Sequence, residues 1–212
     1  MTSLCKWMAA DAGIEPELGS VVTDLGGFST DAHVLTPPVP QSLAILSFSG
    51  LLPEPETATR LAQIAYKPTI AVLATLDRAP TAMPGHGGCQ FGDGDDLAFV
   101  TDNQAKGISS RPALTVHLSN ARSREFWDRS DDDVVGFAAD RVASLLGGAA
   151  FTATQVQRWR YAGPVEVYPE PTVVWGSTPV VALAGEAFAG PKVEGAFLSG
   201  IAAAEAVRER LG

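Results

Sequence analysis

The sequence predicts an α+β protein: a mixed, mostly antiparallel sheet with flanking helices over roughly residues 21–161, followed by a separate strand–loop–helix piece at the C-terminus. Two observations predict the sheet. Pro112 to Ser119 alternates apolar and polar residues as a half-buried strand does, and Phe151 to Tyr161 is rich in β-branched and aromatic residues. A third predicts the appended piece. The apolar run Val180-Val181-Ala182-Leu183-Ala184 turns at Gly185-Glu186 and re-enters a helix through Val193 to Gly200. A lone strand and helix cannot make a domain, so this piece must complete a sheet whose other strands lie elsewhere.

In chain order, Thr2 to Ala12 has the helical spacing of Leu4, Trp7 and Met8, with Gly13 as its stop. Val21-Val22 and Ala32 to Thr36 read as short strands separated by a Gly26-Gly27 turn. The Pro-rich stretch Pro37 to Pro40 bends into a helix over Gln41 to Leu46. Thr57 to Ala65 suits a helix, and Pro68 bars its continuation before a strand at Ile70 to Leu76. Pro, Gly and Asp between Ala79 and Asp96 signal turns, and Leu97 to Thr101 is a further strand. Ser130 followed by Asp131, Asp132 and Asp133 reads as an N-cap with an acidic first turn, leading into Val134 to Leu146 and stopped by Gly147-Gly148.

Composition narrows the function classes. The 212 residues suffice for one large or two small domains, and 46% apolar with 18% charged residues places the chain among globular proteins. A formal net charge of −9 disfavours non-specific nucleic-acid binding and attraction to membrane surfaces. Cys5 and Cys89 have no C-x-x-C partner, so neither a disulfide scaffold nor a zinc site follows, and both are expected reduced and partly buried. No apolar stretch reaches the ~18 residues of a membrane span. With no secretory signal pattern either, a cytoplasmic location is the default expectation. Asp128 to Asp133 is not a calcium loop, because Asp133 and Ala139 stand where Gly and Glu are needed. No metal site is expected, and neither G-x-S-x-G nor H-E-x-x-H is present.

The C-terminal crossover carries the clearest chemistry. Its helix starts with small residues and has no charged side chain between Glu194 and Glu205, so something packs closely on its first turns. Bare N–H groups at a helix start suit an electron-rich ligand edge or an anion, and an acidic residue after a strand end can grip a ribose or ribityl hydroxyl. The spelling from Leu183 through Gly185-Glu186 and Val193-Glu194-Gly195-Ala196 to Gly200 resembles the C-terminal flavin-contacting segment of FAD-dependent amine oxidase-like oxidoreductases, most of all the renalase-like branch. The resemblance continues upstream through Thr36 to Gln41, Tyr66-Lys67-Pro68, Asp102 to Gly107, Thr115 to Ser119 and Gln157 to Ala162, covering nearly the whole chain. It implies FAD as cofactor, with Glu186 at the ribityl chain and the amides around Glu194, Gly195 and Ala196 at the flavin pyrimidine edge. Gly185 and Val193 complete the cofactor-binding set. It also implies that the C-terminal piece belongs to a Rossmann-like FAD domain.

On this resemblance the chain divides into a helix of residues 1–15 belonging to or bordering the FAD domain, a substrate domain of residues 16–170, and an FAD-binding segment of residues 171–212. The family normally opens with a strand, a G-x-G-x-x-G turn and a helix, because the pyrophosphate must sit on backbone amides. This chain has no such segment. Gly85-His86-Gly87-Gly88 has Gln90 where the third Gly should be and reads as a tight turn. Roughly the first hundred residues of a complete relative, about one mononucleotide-binding half, are therefore expected to be missing through a misread start, a deletion or a split protein.

Beside the flavin the resemblance implies Trp159, Tyr161 and His117 as candidate catalytic residues. Trp159 and Tyr161 either shape the substrate cavity or simply bury aromatic area in a strand. His117 either hydrogen-bonds an amine or carbonyl substrate or is a satisfied strand histidine. Asn103 and Lys106 divide in the same way between turn chemistry and cavity lining. Glu186, Glu194, Gly195 and Ala196 also admit a packing reading, as a Gly turn followed by an Ala-rich helix. The implied reaction is hydride transfer from an amine or a dihydronicotinamide-like donor to flavin, then reoxidation by oxygen, with a small-molecule substrate. Two rivals stand beside it: a non-catalytic remnant, and a subunit needing a separately encoded N-terminal FAD-binding partner.

Overall fold

The computed structural model of the protein describes residues 2–212, so Met1, which opens the predicted first helix, lies outside the described residues. The expected α+β class is observed, as two sheets with their own cores. Helix α1 (Thr2–Asp11) ends where Gly13 takes a left-handed φ of 66° and Ile14 N–H donates to Ala9 C=O at 2.8 Å. Among the described side chains of this helix Met8 and Ala9 are half-buried, whereas Leu4 and Trp7 are exposed, and Cys5 is exposed rather than partly buried. Val21-Val22 forms no strand. Two apolar residues have no ladder to join here, because β1 (Ala32–Leu35) spends its pairing elsewhere, and Leu25 alone reaches the core from this segment.

The larger sheet has order β3-β4-β5-β2-β6 and is antiparallel throughout. Its strands are β2 (Tyr66–Leu76), β3 (Gly88–Gln90), β4 (Leu97–Asp102), β5 (Ala113–Leu118) and β6 (Phe151–Pro164). One face is dry. Ile70, Val72, Leu114, Val116 and Val100 pack there against Val134, Ala138 and Val142 of α5 (Asp131–Leu146), a helical four-residue repeat laid on a two-residue strand repeat. Ser130 caps α5 by accepting from Asp133 N–H at 3.1 Å, as its sequence predicts. Gly147 ends it at φ 59°, and a Cβ there would stand 1.9 Å from Thr81 Oγ1. The Gly85 to Gly88 stretch is a turn closed by Gly87 N–H on Pro84 C=O, and it runs into a strand rather than a helix.

Strand β2 starts earlier than Pro68 allows in an unbroken ladder. Lys67 pairs with Gly163 and Thr69 with Trp159, so Pro68 faces three residues, Arg160, Tyr161 and Ala162. A proline has no N–H to donate, and a bulge at that point keeps the strand going. Beyond β5, the short helix α4 (Asn120–Glu125), which the sequence pattern does not announce, is capped by Ser119 and pinned by Ser123.

The smaller sheet has order β1-β8-β7, with β1 parallel to β8 (Val180–Leu183) and β7 (Val173–Trp175) antiparallel to it. The C-terminal strand thus finds its partners within this chain. All four β8 residues are buried, because both sheet faces are covered. Val181 and Leu183 pack with Leu35 and with Val39 and Leu46 of α2 (Val39–Phe48) and Leu61 of α3 (Pro55–Ala62). On the opposite face Ala182 and Ala184 meet Ala203 of α7 (Val193–Leu211). Among the described residues no helix is long and apolar enough to cross a membrane.

Ser123 is fully buried and its Oγ accepts Ile70 N–H at 3.0 Å, tying α4 to the centre of β2. Ser123→Ala leaves that amide without a partner and should lower stability by about 1–3 kcal/mol, read as a shift in the urea midpoint at unchanged slope.

Candidate functional site

The crossover from β8 to α7 is built on small residues. Gly185, at φ 137°, donates its N–H to the buried Ser199 Oγ at 3.0 Å, which ties the strand end to the helix. Ser199 lies on the same helix face as Gly195 and Ala203, at intervals of four, and these are the residues of α7 that are buried. Between Gly185 and α7 runs the short helix α6 (Glu186–Ala189). A Cβ on Gly195 would stand 2.3 Å from the Gly190 carbonyl oxygen and 2.8 Å from that of Ala189. Glycine is therefore required here by the chain's own loop. The Ala196 N–H is already spent on Lys192 C=O at 3.0 Å. The amides of Val193, Glu194 and Gly195 have no partner among the described residues, as the first turn of a helix leaves them. Of the cofactor-binding candidates, Val193 and Glu194 are exposed and Gly195 is buried.

The Glu186 carboxylate is half-buried and makes no hydrogen bond or ion pair among the described residues. It lies close enough to the buried Tyr66 for its charge to help raise that phenol. Burial is the larger cause, and the hydrogen bond that Tyr66 Oη accepts from Val39 N–H at 3.0 Å opposes both.

The three catalytic candidates separate into two places. His117 pairs with Ala71 on β2, and Thr69 on the same strand pairs with Trp159. Alternation puts His117, Ala71, Thr69 and Trp159 on the face of the larger sheet opposite α5. Ala71 on the middle strand is small enough for the two rings to stack across it, with centroids 6.2 Å apart and planes 17° apart. Trp159 remains 45% exposed, and Leu73 on the same face is 37% exposed, so this face is only partly covered. Burial alone holds the His117 imidazole below the usual histidine range. Tyr161 is carried away by the bulge and meets Tyr66 edge-on at 5.4 Å in the smaller core.

Asn103 and Lys106 lie in a turn that Asp102 closes. Asp102 Oδ1 accepts the N–H groups of Gln104 and Ala105, each at 3.0 Å, which makes the turn. Asn103 Nδ2 donates to Thr115 Oγ1 at 3.0 Å, and the Lys106 ammonium lies 5.1 Å from the centre of the Phe99 ring. Tyr66, Ser199 and Arg124 are absent from the sequence-derived set; Ser199 was legible only as one small residue among many. Among the described residues, no group of three or more His, Cys, Asp or Glu side chains could hold a metal ion.

A small sheet covered on both faces, with a Gly-rich crossover at one strand end, joined to an antiparallel sheet with one open face, defines a two-part α+β architecture. Comparison with solved structures agrees. The chain matches the PF1083 protein of Pyrococcus furiosus with a TM-score of 0.54 at 12% identity, over 85% of this chain and 41% of that one. It matches a putative protoporphyrinogen oxidase from an Exiguobacterium species with a TM-score of 0.56 at 14% identity, over 83% of this chain and 41% of that one. At such identities the likeness is one of fold, and this chain spans well under half the length of either. No curated protein matches the sequence. The family model for flavin containing amine oxidoreductases matches residues 16–208, and the chain belongs to that family.

The lowered His117 pKa has a definite sign. The unfolded chain binds the proton more readily than the folded one, so this group's contribution to folding is intact above about pH 6.5, its unfolded value, and is lost as pH falls below that value and through the lower folded one. Urea titrations between acid and neutral pH should show His117→Gln with a flatter rise in stability than wild type. The loop contact at Gly195 predicts that Gly195→Ala costs about 1–3 kcal/mol through overpacking, measurable by thermal unfolding without any ligand.

Proposed function

We propose that this chain is the substrate-facing and C-terminal cofactor-contacting part of an FAD-dependent oxidoreductase of the renalase-like type. The observation that carries the reading is the β8–α7 crossover, which presents the unpaired Val193, Glu194 and Gly195 amides together with the unpaired Glu186 carboxylate, in a chain of the flavin containing amine oxidoreductase family. Such a set fits a flavin. N–H donors at a helix start suit its electron-rich pyrimidine edge, and a carboxylate suits a ribityl hydroxyl. Bound FAD supplies hydride acceptance from an amine or dihydronicotinamide-like donor and passes the electrons to oxygen.

The chain's own residues would orient the donor. Trp159 offers a flat, half-exposed wall, and His117, whose charged form burial disfavours, can hydrogen-bond an amine or carbonyl substrate. Substitution His117→Ala should alter turnover while leaving cofactor content nearly unchanged. We place the protein in the cytoplasm, acting on a small molecule.

A second reading has its own support: completion of the nucleotide fold by a separately encoded Gly-rich half. Strand β1 is an edge of the parallel pair, Val34 on it is 49% exposed, and Val193, Phe197 and Ile201 leave an exposed apolar stripe along α7. An uncovered strand edge and an uncovered helix face both call for further structure. A protein without a pyrophosphate loop would lack most of the donors that hold FAD and bind it weakly, the outcome that a non-catalytic remnant shares.

Equilibrium dialysis of the purified chain against FAD separates these readings. Autonomous binding predicts a retained yellow cofactor that Glu186→Gln weakens about tenfold, or about 1.4 kcal/mol, at unchanged fold. Uptake only after co-expression with a G-x-G-x-x-G segment supports the split form. Failure to bind FAD under both conditions overturns the assignment.

A further inference from the structure

The bulge opposite Pro68 opens a cavity of about 510 Å³ between the start of β2, the end of α4 and β6. This lies within the usual range for a small-molecule pocket. The Tyr66 and Tyr161 rings and Trp127 supply flat apolar walls, and Arg124, Arg160 and Asp128 supply its charge. The Arg160 guanidinium lies 4.9 Å from the centre of the Trp127 ring. Arg124 and Arg160 are both exposed, and neither forms a salt bridge among the described residues, as is also true of Arg111, Arg129, Arg208 and Arg210. Arg124 has only Asn120 Oδ1, at 3.3 Å. In a chain with 24 acidic against 15 basic residues, two guanidiniums without carboxylate partners at one aromatic cavity give it a positively charged rim. Asp128 balances one of the two charges at most.

We propose that this cavity is a binding site for an aromatic carboxylate: a planar ring held among Tyr66, Trp127 and Tyr161, with its carboxylate received by Arg160 and Arg124. A guanidinium fork matches a carboxylate in two parallel hydrogen bonds, and one already stacked on an indole loses little freedom in doing so. Pro68 is what builds the site. By denying the ladder an N–H it forces three β6 residues out of register, which aims Arg160 and Tyr161 at the cavity rather than along the sheet. The assignment does not rest on flavin binding, so it is tested on the chain without added cofactor.

The probe is benzoate, with benzyl alcohol as its uncharged counterpart. Binding is followed at the Trp127 indole N–H resonance, identified as the signal lost in Trp127→Phe. Wild type should bind benzoate saturably and at least tenfold more tightly than benzyl alcohol. Arg160→Gln and Arg124→Gln should each weaken benzoate at least fivefold with unchanged circular dichroism, while Arg78→Gln, removing an exposed arginine elsewhere, should change nothing. Equal binding of the two probes, absence of saturation at 10 mM benzoate, wild-type affinity in either cavity variant, or an equal loss in Arg78→Gln each overturns the proposal.

Discussion

The pairing of β2 with β6 is the constraint on which the rest of the structure depends. Both strands run through both hydrophobic cores: Ile70, Val72 and Val156 belong to the core under α5, whereas Tyr66 and Tyr161 belong to the core under the smaller sheet. A shared ladder of backbone hydrogen bonds, resumed on either side of the Pro68 bulge, therefore fixes the two cores relative to each other. The one irregularity in its interior falls where the cores meet, at Pro68, and there the chain exchanges regular pairing for a cavity. The side chains of greatest chemical interest lie on either side of that point, Trp159 just before the bulge and Arg160 and Tyr161 within it.

The two sheets dispose of their faces differently, and this decides where ligands can go. Strand β8 is buried on both sides, so its Val-Val-Ala-Leu run has no polar face, and only its end, at Gly185, meets polar chemistry. The larger sheet has one dry face against α5 and one partly open face carrying His117, Trp159 and Leu73. The helical connection from β5 to β6, which crosses over β2, lays α5 on one face alone, and an antiparallel sheet tolerates leaving the other face open. Stacking of His117 on Trp159 and desolvation of the imidazole are consequences of that geometry, since the small Ala71 between them lets the rings approach.

Glycine has two distinct uses in the cofactor-binding candidates. Gly185 takes a φ that other residues rarely adopt, and its amide is anchored by Ser199. Gly195 has no unusual backbone angle but stands against the carbonyls of Ala189 and Gly190. The second use is invisible in one dimension. A Gly-rich helix start reads equally as room for a ligand or room for the chain itself, and only coordinates show which atoms occupy the space. The amides of Val193, Glu194 and Gly195 are left without partners among the described residues.

By itself the sequence determined the features that depend on neighbours along the chain: α5 between its Ser130 cap and Gly147 stop, the strands from Leu97, Ala113 and Phe151, and the strand–turn–helix of the C-terminus. Period, capping chemistry and chirality act over a few residues, and a linear string records them. Tertiary structure alone decided that β1 rather than Val21-Val22 would pair with β8, that Pro68 would sit in a bulge instead of ahead of a strand, and that Trp159 and Tyr161 would part company. Those outcomes turn on which segments, distant in sequence, compete for the same hydrogen-bonding edge and the same buried volume, and that competition is settled only when the whole chain has folded.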